Sequence, residues 1–141
     1  MPYDPMLVKP MREELTNIGI TELMTADAVD AAMKEPGTTM VVVNSVCGCA
    51  AAGARPGVAQ ALKHSTTPDR TVTVFAGQDL EATERVRSYF TGQPPSSPCV
   101  AIMRDGELVA FMPRHTIEGR TPEQISGALT NAFDEICAPA A

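Results

Sequence analysis

The stretch Thr39-Met40-Val41-Val42-Val43-Asn44-Ser45-Val46-Cys47-Gly48-Cys49 decides how the rest of the chain is read. Thr39 to Asn44 is an uninterrupted run of β-branched and apolar residues. It predicts a strand buried on both faces, as in a sheet covered by helices on either side. Ala50 to His64 is rich in alanine and predicts a helix, with Pro56 kinking or restarting it. The two cysteines therefore stand where a buried strand ends and a helix begins. Unpaired N–H groups and the helix dipole at such a place favour an anion, so a thiolate at Cys47 is stabilised there. The crevice beyond the strand's C-terminal end is also where open α/β sheets place their sites.

The Cys-X-Cys spacing has chemical consequences of its own. Two Cα atoms two residues apart can come within disulfide range, but the ring closed is small and is expected to be strained. Strained bridges are more oxidising and more easily reduced. Such a pair suits resolving a mixed disulfide, or shuffling disulfides, better than storing a stable oxidised form. Gly48 is expected to be demanded by the tight turn between the thiols. Two other readings stay open: a pair of passive buried cysteines, or part of a zinc or iron–sulfur site completed by Cys99, Cys137 or a histidine. Cys99 alone reads as a small strand residue or as a third thiol, and Cys137 as an incidental thiol near the chain's end. Arg55 either holds a carboxylate of a small thiol or pairs with an acidic side chain on the surface. His64 and His115 stand near element ends and receive no role.

Outward from this centre, residues 1–10 carry three prolines and predict an irregular arm over residues 1–9. Met11, Leu15 and Ile18 recur at helical spacing, closed by Gly19. A second helix starts at Thr25 as N-cap and stops at Glu35-Pro36-Gly37. Thr71 to Ala76 is a second buried strand, and Leu80 to Phe90 a helix closed by Gly92. Val100 to Met103 and Leu108 to Met112 form strands around the hairpin signal Asp105-Gly106. Thr121-Pro122-Glu123-Gln124 opens a last helix, running to about Ile136, with a capping box. Strands linked by long helical crossovers and followed by a hairpin imply an α/β fold: a mixed central sheet, helices on both faces, and an extra N-terminal helix. One domain is expected over residues 10–137.

Composition agrees. Of 141 residues 44% are hydrophobic but only 4% aromatic, with no Trp, so the core is built from Val, Ile, Leu, Ala and the 8 Met. The net charge of −6, without a basic run, argues against nucleic acid. No stretch reads as a signal peptide or a membrane span, which makes the cytoplasm the expected location. In that reducing compartment a close cysteine pair reads as catalytic or metal-binding and not as a structural bridge.

The segment Val43-Asn44-Ser45-Val46-Cys47-Gly48-Cys49-Ala50-Ala51, followed by Ala54-Arg55-Pro56, closely resembles the signature of the bacilliredoxins, a thioredoxin-like family with a Cys-Gly-Cys motif. Further matches are Pro10 to Thr16, Val72 to Asp79, Arg87 to Phe90, Pro94 to Pro98, Asp105 to Leu108 and Ile117 to Arg120. The resemblance covers about residues 7–137. It implies a thioredoxin-like fold and removal of bacillithiol, or a similar low-molecular-weight thiol, from mixed disulfides on client proteins. By the family pattern Cys47 attacks and takes up the small thiol and Cys49 resolves. Disulfide isomerase activity is the alternative the resemblance allows. No metal or organic cofactor is implied, and a homodimer is an open option. The family more usually carries Ser where Cys99 stands. Finally, the interval from Pro98 to Asp105-Gly106 matches that between the thioredoxin cis-proline and its hairpin turn. Ser97–Pro98 is thus the expected cis bond, with Ser97 and Pro98 beside a bound substrate.

Overall fold

Every residue of the strand Thr38–Asn44 is buried, as its two-sided apolar pattern requires. In a computed structural model describing residues 2–137, this strand is the centre of a five-stranded sheet. The elements in chain order are α1 (Pro5–Thr16), β1 (Thr21–Glu22), α2 (Ala26–Lys34), β2 (Thr38–Asn44), α3 (Arg55–Ala61), β3 (Arg70–Phe75), α4 (Leu80–Ser88), β4 (Cys99–Arg104), β5 (Glu107–Met112) and α5 (Pro122–Ile136). The sheet order is β1-β3-β2-β4-β5. β1, β3 and β2 are parallel, while β4 and β5 are antiparallel to their neighbours. The sheet is mixed, with helices on both faces.

Period-two alternation along β2 splits the core into two layers. Val41 and Val43 face α2 and α4, where Val29, Met33, Ala82 and Val86 close one layer. Met40 and Val42 face the other way, onto Leu15 of α1, Val58 and Ala61 of α3, and Ile125, Leu129 and Phe133 of α5. α3 meets α5 so closely that a Cβ on Gly57 would lie 2.6 Å from Ile125 Cγ2. That approach is what the missing side chain permits.

Local signals set most boundaries. Thr25 Oγ1 accepts from Ala28 N–H at the start of α2, and the Thr121/Gln124 capping box opens α5 with Pro122 in its first turn. Asp105 and Gly106 both take positive φ, 51° and 82°, in the two-residue turn joining β4 to β5.

Two features depart from the sequence reading, and a third gives an expected kink its particular form. The arm expected over residues 1–9 is largely helical, because α1 begins at Pro5. Asp4 caps it by accepting from Met6 N–H, and proline in the first turn lacks only an N–H that would have no partner there. Pro10 does fall inside the helix, where proline costs about 3 kcal/mol. Opposing that cost, Val8 and Leu15 are buried, and Arg12 makes a two-pronged ion pair with Asp79 (2.9 and 2.7 Å) over the Phe75 ring. Second, the two-residue strand β1 pairs Thr21 and Glu22 with Val72 and Thr73; two polar residues are too few to show a strand period. Third, the kink expected at Pro56 takes the form of a π-helical turn, Ala50–Ala54, before α3. Arg55 N–H bonds back to the Ala50 carbonyl there, a wider turn that keeps the proline ring off the preceding backbone.

Candidate active site

β2 ends in Asn44, a buried polar residue that follows the apolar run Met40 to Val43. From it a chain of hydrogen bonds shapes the loop carrying the cysteines. Asn44 Nδ2 donates to the Met11 carbonyl of α1 (3.1 Å), and Asn44 Oδ1 accepts from Ser45 N–H (2.8 Å). Ser45 Oγ in turn accepts from Cys47 N–H at 3.1 Å. Cys47 then caps the helix: its carbonyl accepts from the N–H groups of Ala50 (3.0 Å) and Ala51 (3.2 Å). Cys49 N–H points instead at Cys47 Sγ, 3.3 Å away. Cys47 and Cys49 form a disulfide with their Cα atoms 5.4 Å apart. Both are half-buried, at the end of the sheet where β2 and β3 finish.

Arg55 holds this loop from below. One guanidinium nitrogen donates to both Asn44 Oδ1 (3.0 Å) and the Ser45 carbonyl (2.8 Å). The Glu14 carboxylate of α1 lies 3.2 Å from its Nε, an ion pair without an aligned hydrogen bond. The side chain is only 3% exposed and pairs with an acidic residue, Glu14, as one of its two expected roles had it, but the surface position given to that pair is corrected. Its contacts go to the protein's own acceptors under the loop, which makes it a positioning residue. The expectation for Gly48 is corrected as well. Gly48 is exposed, its φ is not positive, and a Cβ there would meet nothing within 4 Å. The turn is an ordinary helical first turn that any residue can adopt.

Ser97–Pro98 is a cis bond. Cys99 pairs with Val43 in register, so Pro98 and Ser97 follow opposite Asn44 and Ser45, at the same end of the sheet as the cysteines. Cys99 itself points the other way, into the layer under α2 and α4. The cysteine pair belongs to the helix on the opposite face, and among the described residues no three His, Cys, Asp or Glu side chains are placed to hold a metal. The grouping of Cys47, Cys49 and Cys99 as a metal site therefore has no geometric basis. Cys137 lies at the end of α5, and His64 pairs with Asp134 at 2.9 Å, away from the site.

Burial pushes the Cys99 thiol from its ordinary 9.0 up to about 12, against a smaller opposing pull from the Arg87 charge. The folded chain thus keeps this proton to a higher pH than the unfolded chain. The stability it represents is complete below pH 9 and is lost as pH rises toward 12. Relative to Cys99→Ala, the wild-type unfolding free energy is expected to fall by on the order of 1–2 kcal/mol between pH 8 and pH 10.5, read from urea midpoints. Parallel pH profiles for the two proteins would contradict this.

A family model described as "Disulphide isomerase" matches residues 3–137. A bacilliredoxin from Koribacter versatilis is 58% identical over 136 residues, covering 96% of this chain and 94% of the relative. The chain belongs to the bacilliredoxin family. Other bacilliredoxins, from Cytophaga hutchinsonii and Bacillus cereus, are 53% and 51% identical, covering 95% and 93% of this chain and 99% and 91% of theirs. Among solved structures, oxidised mitochondrial thioredoxin 3 of Saccharomyces cerevisiae superposes with a TM-score of 0.58 at 14% identity, over 86% of this chain and 98% of that one. A thioredoxin mutant from Halobacterium salinarum gives 0.59 at 14% identity, over 88% and 96%. The fold is thioredoxin-like, and this member of the bacilliredoxin family is a thiol–disulfide oxidoreductase. No helix among the described residues is long and apolar enough to cross a membrane.

Sequence reasoning missed the frame around the cysteines: Asn44, Ser45, Glu14 and the Met11 carbonyl. One signal was available, since an Asn ending a fully buried strand must find partners. The burial of Arg55 had none, because a cation at that spacing reads equally well as solvated.

Proposed function

We propose that the protein removes bacillithiol, or a similar low-molecular-weight thiol, from mixed disulfides on client proteins in the cytoplasm, with Cys47 attacking and Cys49 resolving. The observation that carries this reading is the aim of Cys49 N–H at Cys47 Sγ in the first turn of a helix. A donor and a dipole end in that position favour the thiolate and raise the fraction of attacking form. Matches over most of the chain to relatives named bacilliredoxin support this choice of thiol class.

In the first step the Cys47 thiolate attacks the small thiol's sulfur. The Cys47–sulfur bond forms as the client–sulfur bond breaks, and the client leaves as a thiolate that takes up a proton. In the second step the Cys49 thiolate attacks Cys47 Sγ, expels the small thiol, and leaves the Cys47–Cys49 disulfide. The cysteine pair has then given up the two electrons that reduced the client, and a thiol reductant restores it. Ser97 and Pro98, opposite Ser45 and Asn44, lie where an extended client backbone would run.

The Cys49→Ala variant, offered a client carrying the small thiol, is expected to stop after the first step. Its mass spectrum then shows the small thiol on Cys47 at close to one per chain and the client reduced. A client that keeps its adduct contradicts the proposal. A client captured covalently on Cys47, with the small thiol released, favours the isomerase reading of the same cysteines.

A further inference from the structure

A cleft of about 570 Å³ opens between two loops at the same end of the sheet as the cysteine pair. One wall is the segment 93–97 leading to Pro98, and the other follows β5 from Pro113 to Glu118. Arg114 N–H donates to Ser96 Oγ at 2.7 Å and ties the walls together. Phe111, packed on Phe90 with ring centroids 5.3 Å apart, also lines it. The cleft therefore has braced walls.

Its charge runs against that of the whole chain, which carries 17 acidic and 11 basic residues. Arg87 of α4, Arg114 and His115 all face this space, and Glu118 is the lone carboxylate in its lining. Glu118 lies 3.5 Å from Arg114, and both side chains are about half exposed, so that pair is weak and readily exchanged. Arg87 is placed differently. Its Nε is closed off from solvent, and among the described residues nothing accepts its hydrogen. A buried donor without an acceptor is costly, and this one belongs to a side chain that lines the cleft.

We infer that this cleft receives the carboxylate-bearing part of the small thiol that Cys47 takes up, with Arg87 and Arg114 as its anchors. The inference rests on the transfer reaction proposed above and adds the selection of substrate to it. Guanidinium is planar and offers paired donors that match a carboxylate, and two of them suit a thiol carrying more than one. Position supports the same assignment. Ser97 on the rim is two residues from Cys99, which pairs with Val43, and β2 continues from Val43 toward Cys47. A ligand anchored on the arginines would therefore lie at the end of the sheet that carries the cysteines, with Ser97 on the rim between.

The test uses the reduced full-length protein and two pyridyl disulfides, one made from mercaptosuccinate, with two carboxylates, and one from neutral mercaptoethanol. In each case Cys47 bonds to the small thiol's sulfur and expels pyridine-2-thione, whose absorbance times the step. Rates are divided by those of the same probes with free mercaptoethanol, which removes their intrinsic difference. The wild type is expected to prefer the dicarboxylate probe by about tenfold, a difference within reach of two charge-assisted contacts. Arg87→Gln and Arg114→Gln should each cut that ratio by roughly threefold or more, and Arg85→Gln, whose partner is Asp30, should leave it intact. Should Arg87→Gln fail to fold, the half-exposed Arg114 decides the matter. A wild type without preference, or a preference surviving both substitutions, overturns the inference. If Cys47 takes up neither probe, the transfer reaction itself falls, a result distinct from the loss of selectivity.

Discussion

Replacing Cys47 with serine is expected to lower the rate of thiol transfer on the order of 10³-fold or more, as when a covalent nucleophile is removed. The loss is chemical. A serine hydroxyl stays protonated at neutral pH, and no covalent adduct with the small thiol's sulfur can replace Cys47–S–S–R. The frame is left intact, because the backbone N–H of residue 47 still bonds to Ser45 Oγ and its carbonyl still caps the helix. Unfolding midpoints should therefore match those of the reduced wild type. The two cysteines must also differ: Cys49→Ser keeps the first transfer and loses only the release of the small thiol. The measurement is the rate at which a client's adduct disappears, followed by mass spectrometry. More than about a tenth of the wild-type rate in Cys47→Ser would place the nucleophile elsewhere.

The second large effect is expected at Arg55. Arg55→Ala deprives the Ser45 carbonyl of its guanidinium partner and removes one of the two donors to Asn44 Oδ1, both in buried residues. Each unsatisfied buried acceptor costs about 1–3 kcal/mol, and the space left by the side chain adds to that. Two effects oppose this loss. Asn44 Oδ1 keeps its bond from Ser45 N–H, and a buried cation no longer has to be desolvated. Glu14 is half exposed and rehydrates with little penalty. The balance is a loss of about 2–4 kcal/mol, which for a chain of this size lowers the thermal midpoint by on the order of 10 °C. Arg55→Lys should fall between, since a point charge cannot reproduce the guanidinium fork. Calorimetry on the reduced proteins checks the ranking. A midpoint for Arg55→Ala within about 2 °C of wild type would show that the loop holds itself.

The parts of the fold legible in advance were those where local chemistry and global packing agree. β2 was readable because residues with two-sided apolar character can only lie inside a covered sheet. The Thr121 capping box and the Asp105-Gly106 turn were readable because each residue type serves one backbone geometry. The elements that escaped were decided by partners distant in sequence. α1 extends back to Pro5 although Pro10 sits inside it, and the contacts that hold it, Arg12 with Asp79 and Met11 with Asn44, span 67 and 33 residues. β1 exists because β3 offers an open edge and not because Thr21 and Glu22 favour extension.

The site divides in the same way. Cys47 and Cys49 came from motif and position, and the cis Ser97–Pro98 bond from the resemblance to the thioredoxin-like family. Arg55 was noticed, either as holding a small thiol's carboxylate or as a surface partner of an acidic side chain, but its burial was not legible, because burial of a cation depends on acceptors supplied by Asn44 and Ser45. Gly48 was given a conformational duty that its geometry does not need. Arg87 and Arg114 went unremarked, since 27 residues separate them in sequence and only the loop 93–97 and the end of β5 bring them to one cleft.

Everything chemical in this account depends on the helix start holding Cys47 as a thiolate. The most direct test follows thiolate absorbance of the reduced protein against pH in a Cys49→Ala background, with Cys47→Ala, Cys49→Ala as the blank. The account predicts an inflection for Cys47 well below the ordinary free-cysteine value of about 8.5. An inflection at or above that value would contradict it.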